Sequence, residues 1–151
     1  VVLVSFVPKA LEPATIVSKS IKIVLAVLVG FVVWFVVATV ANLLTRASVA
    51  GYAEAETAAQ FTLPMLLARL AVGGLSSVAA GFACALCARA IPTASKVLAV
   101  ALVLFFVPVH YALWVQFPLW YHAVFLVSLA PLVLVGAVVG RHLVWRGRGA
   151  A

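Results

Sequence analysis

The stretch Ile23–Leu44, IVLAVLVGFVVWFVVATVANLL, decides the fold. It carries no charge, and its polar residues, Thr39 and Asn42, come only near its end. A helix needs roughly 20 apolar residues to cross about 30 Å of hydrocarbon, and this run has that length. Three further runs match it: Phe61–Ala88, Val97–Val115 and Leu119–Leu143. Together they predict an all-α integral membrane protein. Its four transmembrane helices form one bundle over residues 21–145, paired as two antiparallel hairpins.

Composition agrees. The chain has 151 residues, 68% of them hydrophobic and 9% charged, with a mean hydropathy of +1.32. A soluble domain is nearer half apolar and a quarter charged, and a fold of this size could not bury such an excess. The connections between the runs are too short for a separate soluble domain. The formal charge of +7 does not point to nucleic acid, because the cations mark the ends of apolar spans rather than a groove-tracking patch.

Those ends set the threading. Lys9, Lys19 and Lys22 precede the first span, Arg89 and Lys96 flank the connection between the second and third, and Arg141, Arg146 and Arg148 follow the fourth. An even number of spans puts these eight cations on one side. The opposite loops offer Arg46 alone, with Glu54 and Glu56, and Gln116–Pro118 carries no charge. The positive-inside rule then predicts both termini in the cytoplasm. A bias to Ala, Val, Leu and Arg fits a GC-rich bacterial genome, hence the plasma (inner) membrane. Residues 1–20 read as an interfacial or partner-binding segment, since Val1–Val7 is too short to span and Pro8 and Pro13 interrupt it. Residues 146–151 read as a basic tail, and Ala53–Gln60 as a short surface helix.

Membrane helices associate through small residues that allow close approach. Gly73, Ser77 and Gly81 on the second span, and Gly136 and Gly140 on the fourth, are the expected helix-packing seams. The first span, dominated by Val, Phe and Trp34, reads as facing lipid or a partner. Cys84 and Cys87, three apart on one helix, point poorly for a disulfide and read as small packing residues. No metal site is expected.

The polar exceptions inside the spans carry the functional expectations. Arg69 lies roughly 8 Å inside the outer boundary at 1.5 Å per residue and faces the small-residue strip. A guanidinium in hydrocarbon costs about 2.5–3.5 kcal/mol. It either pairs with Glu54, Glu56 or an anionic lipid head group, or snorkels outward along its stem. The segment from His110-Tyr111 through Trp114, then Trp120 to Tyr121-His122, is nearly a mirror image about its turn. Tyr111, Trp114, Trp120 and Tyr121 are expected in an interfacial aromatic belt. His110 and His122 fall roughly 9 Å below the turn. They are either interfacial side chains bonded to backbone, water or tyrosine, or a pair able to clamp haem iron, hydrogen-bond a quinone or relay a proton. Arg69, His110, His122, Thr39 and Asn42 thus form one candidate polar site in the outer leaflet.

The chain has no Asp and three Glu, none within a span. That argues against acid–base catalysis and against a coupled transporter of the usual kind. The expectation is a non-catalytic accessory or structural subunit of a larger membrane protein complex, with membrane lipids and other subunits as partners. The alternatives are a small transporter or channel with an anion or lipid path at Arg69, and a haem- or quinone-binding subunit using His110 and His122.

Overall fold

The computed structural model describes residues 13–88 and 91–148. Among them are five helices and no strand: α1 Pro13–Ser48, α2 Tyr52–Ala58, α3 Leu63–Ala88, α4 Pro92–Ala112 and α5 Leu119–Arg148. Four are long and apolar enough to cross a membrane, over Val17–Ser48, Leu63–Ala88, Pro92–Ala112 and Leu119–Leu143. This is the architecture of a multi-pass membrane protein. Val1–Val7, Lys9, Arg89 and the last three residues of the expected basic tail lie outside the described residues. The helices outrun the apolar spans at both ends of the chain. α1 starts at Pro13, a residue whose fixed φ and missing N–H suit the first helical position, and α5 continues to Arg148. α4 stops at Ala112, three residues before its apolar run does. From there Leu113, Trp114 and Gln116 donate backbone bonds in successive tight turns, to Val109, Tyr111 and Leu113.

α3 is the hub. It packs against α1 on one flank and α5 on the other, and α4 closes the bundle against all three. The reason is its strip of small residues: Gly73, Ser76, Ser77, Ala80, Gly81, Cys84, Ala85 and Ala88 are all buried. The closest approach is reciprocal. A Cβ on Gly81 would fall on the carbonyl oxygen of Val133, and one on Gly136 would fall on that of Val78. Each helix therefore seats its glycine over the other's backbone, which brings many atoms into dispersion contact without help from a hydrophobic effect. Gly140 adds a looser approach one turn on, where a Cβ would lie 2.9 Å from the Phe82 carbonyl oxygen.

α1 keeps most of its described surface exposed. It is apolar all round, yet Ala26, Gly30 and Trp34, four residues apart, are buried as one stripe. Trp34 is only 6% exposed, and its indole N–H donates to the Ser77 hydroxyl at 3.2 Å. Ser77 in turn donates to the Gly73 carbonyl. A tryptophan in hydrocarbon needs a partner for its N–H, and the nearest one lies on α3. Only the outer face of α1, including Val24, Leu28, Val32 and Val36, stays exposed. With Leu104 of α4 and Val127 and Val135 of α5, it makes a belt too apolar for water.

Candidate functional site

The site begins with the short helix that roofs it. Gly51 takes φ +73°, a left-handed conformation that a glycine adopts without penalty, and turns the chain into α2. That turn drives Tyr52 into the interior, where it is fully buried. Its hydroxyl lies 3.2 Å from the Asn42 side-chain oxygen and 3.3 Å from Arg69 Nη1. One turn later Glu56 reaches the same place. It meets Arg69 Nη1 at 3.4 Å, Arg46 Nε at 3.4 Å and Asn42 Nδ2 at 3.3 Å. Of the two carboxylates expected near Arg69, Glu56 is the one that meets it, and Glu54 is exposed. The guanidinium also lies 4.7 Å from the Phe61 ring centre and 5.6 Å from that of Phe117, where aromatic faces favour a cation.

Glu56 thus ties α1, α2 and α3 together by one carboxylate. The groups are part-exposed, so screening limits its worth. Glu56→Gln should cost about 1 kcal/mol, read as a fall of a few degrees in thermal midpoint. Glu54→Gln, losing the same charge without those bonds, should leave the midpoint unchanged.

The histidines meet each other. His110 Nδ1 and His122 Nδ1 are 2.8 Å apart, a hydrogen bond between two buried rings. Each ring's partner is the other ring rather than backbone or tyrosine. Trp114 stacks on His122 with ring centres 5.1 Å apart and planes at 15°, and Phe125 lies 4.5 Å from His110. His122 is 1% exposed and its Nε2 has no partner. That orphan favours one pair of tautomers. A sealed N–H without an acceptor is rarer than an unused acceptor, so the geometry favours His122 with its proton on Nδ1, donated to His110 Nδ1. His110 then carries its own proton on Nε2, as a donor.

Arg69, His110, Thr39 and Asn42 line one cavity of about 290 Å³. Its walls include Trp34 of α1, Phe106 of α4, and Tyr121 and Phe125 of α5. His122 stands behind the wall, one hydrogen bond from the cavity. The aromatic belt divides. Tyr111 is 80% exposed, and Trp114 and Trp120 are partly exposed. Tyr121 is 5% exposed and lines the cavity. Gly73 also lines the cavity, and a Cβ there would meet Phe125. Tyr52, Trp34 and Phe125 had no signal as site residues, although Trp34 falls four residues after Gly30 in the stripe that packs on α3.

The donor set limits the chemistry. An iron between two imidazoles would hold their nitrogens about 4 Å apart, twice a metal–imidazole bond of about 2 Å. The histidine pair is closer than that and is already bonded, so it does not fit a haem clamp. Among the described residues no group of three or more metal-ligating side chains occurs. Cys84 is buried and Cys87 exposed, both as free thiols. No family model, curated protein or solved structure matches the chain. The fold and site therefore define its class on their own: a multi-pass helical membrane protein with a donor-lined, aromatic-walled cavity.

Proposed function

We propose that this chain is a non-catalytic membrane protein that holds a small molecule in its cavity and serves as an accessory subunit of a larger membrane assembly. The observation that carries the proposal is the cavity itself: about 290 Å³, aromatic-walled, with Arg69 and His110 both lining it. Concave sites with apolar walls and a few polar groups are where small ligands bind. An intramembrane ionisable residue is a functional-site hypothesis by default, and here two share one space. The accessory role is supported by the carboxylate-free spans. An anion path at Arg69 has less support, because Glu56 already meets the guanidinium.

In this reading α1 with α3, and α4 with α5, are antiparallel hairpins with both termini in the cytoplasm of a bacterium, and the cavity opens in the outer leaflet. The side of the basic ends supports that orientation. The test is gentle solubilisation from the native membrane, followed by native sizing and mass spectrometry of extracted organic molecules. The expected result is migration with partner subunits and a bound molecule near one per chain, lost in Ala38→Phe, which fills the cavity. A monodisperse lone chain would remove the accessory role, and an extract free of any such molecule would remove the binding role.

A further inference from the structure

We infer that the ligand of this cavity is a quinone: a neutral, planar ring with carbonyl acceptors, carried on an apolar tail. The inference rests on the small-molecule reading above and narrows it to one chemical class. Four observations select that class.

The cavity's arginine and histidine offer donors, while Thr39 and Tyr121 add hydroxyls that can donate or accept. Arginine can only donate. The tautomer favoured for His110 by the buried, unpartnered Nε2 of His122 leaves His110 donating through Nε2. Asn42 has its carbonyl oxygen within bonding distance of the Tyr52 hydroxyl, so that acceptor is already occupied. A head group rich in hydroxyls or amines would find more donors than acceptors here. A ring ketone brings acceptors alone.

The charge on Arg69 is also partly answered by a carboxylate that it shares with Arg46. Arg69 lies 3.4 Å from the Glu56 carboxylate. A phosphate or carboxylate head group would have to sit beside that carboxylate, whereas a neutral carbonyl accepts from the guanidinium without repulsion.

Shape points the same way. Trp34, Phe106, Tyr121 and Phe125 give the cavity ring faces, against which a planar ring stacks favourably. At about 290 Å³ the space is at the low end for small-molecule sites, large enough for a substituted ring but not for a long tail. In a transmembrane bundle the tail has the bilayer in which to lie.

The test uses the purified full chain in detergent micelles, with decylubiquinone as probe and tryptophan fluorescence as readout, since Trp34 lines the cavity. Decylubiquinone should quench saturably. His110→Phe and Thr39→Val should each weaken binding, by up to about tenfold for one lost hydrogen bond, and Ala38→Phe should abolish it. Glu54→Gln should match wild type. Circular dichroism establishes that each variant is folded. Should His110→Phe fail to fold, Thr39→Val and Ala38→Phe decide the question, because both leave the histidine pair intact. Oleate and lysophosphatidylglycerol are titrated in parallel. If either saturates while decylubiquinone quenches only linearly, by partitioning, the quinone assignment falls and the small-molecule reading survives. If none saturates on folded protein, both fall. Saturable quinone binding that Ala38→Phe leaves intact also overturns the assignment, because the ligand then sits elsewhere.

Discussion

Gly81→Ala should separate α3 from α5 and destabilise the protein by about 3 kcal/mol, the upper part of the usual range for overpacking. Adding one methyl group has so large an effect because of what it meets. The new Cβ falls on the Val133 carbonyl oxygen, with the Val133 carbonyl carbon at 2.7 Å and its Cα at 3.0 Å. All three atoms are backbone, so no rotamer change relieves the clash and the helices themselves must move apart. The partner contact moves with them, because Gly136 makes the same approach to Val78 from the other side. Gly136→Ala should therefore have a similar effect. The double variant should cost less than the sum, since the first substitution has already opened the crossing. The control is Gly74→Ala. There the Cβ meets only Leu132 Cδ1, at 3.3 Å, the flexible end of a side chain, and the cost should stay below about 1 kcal/mol. Thermal unfolding of the four variants in one detergent checks the series. Equal midpoints for Gly74→Ala and Gly81→Ala would show that the crossing does not hold α3 to α5.

The four spans were legible because hydrocarbon imposes one demand, length of apolar chain, and Ile23–Leu44 meets it without reference to neighbours. The small-residue seam was legible for a related reason, since close helix approach in lipid admits few residue types. The face of α1 was not. A helix apolar on all sides has no amphipathic period to read, so the inward turn of Trp34 was hidden behind valines and phenylalanines that look alike in composition. Only the buried partner, Ser77 on another helix, selects that face.

The candidate site was partly legible. Arg69, His110, Thr39 and Asn42 announce themselves as polar residues in apolar runs, and they do line one cavity. Their partners were harder to find. Glu54 and Glu56 are two residues apart, which places them about 200° apart around a helix of 3.6 residues per turn. Which one faces Arg69 depends on how α2 is rotated, and that is set by Gly51 and the burial of Tyr52. The mirror symmetry of the α4–α5 turn misled for a similar reason. Equal distance from a turn gives equal depth but not equal rotation about the helix axis. Tyr111 and Tyr121 share a depth, yet one faces outward and the other lines the cavity.

The histidine pair should behave as a unit with a definite proton order. Nitrogen-15 NMR of the full chain should find His122 protonated on Nδ1 and His110 on Nε2, because only that arrangement avoids a sealed N–H at His122 Nε2. The same geometry predicts an asymmetric set of stabilities. His110→Phe removes the acceptor and leaves the Nδ1–H of His122 unpaired at a site 1% exposed, costing about 1–3 kcal/mol. His122→Phe leaves His110 Nδ1 as a lone pair without a donor, a milder loss of about 1 kcal/mol, since unused acceptors are tolerated better than unused donors. The double variant replaces both ends of the bond by apolar rings among Trp114, Phe117 and Phe125. It should be more stable than His110→Phe alone, with a coupling energy of about 1–2 kcal/mol. Equal single costs would reverse or erase the proton order. Additive costs would mean that the two rings, 2.8 Å apart at Nδ1, do not share a hydrogen bond that matters to the fold. A bond worth keeping for stability alone would be better replaced by two phenylalanines, so a stable, folded double variant that has lost quinone binding would locate the purpose of the pair in ligand binding rather than in the fold.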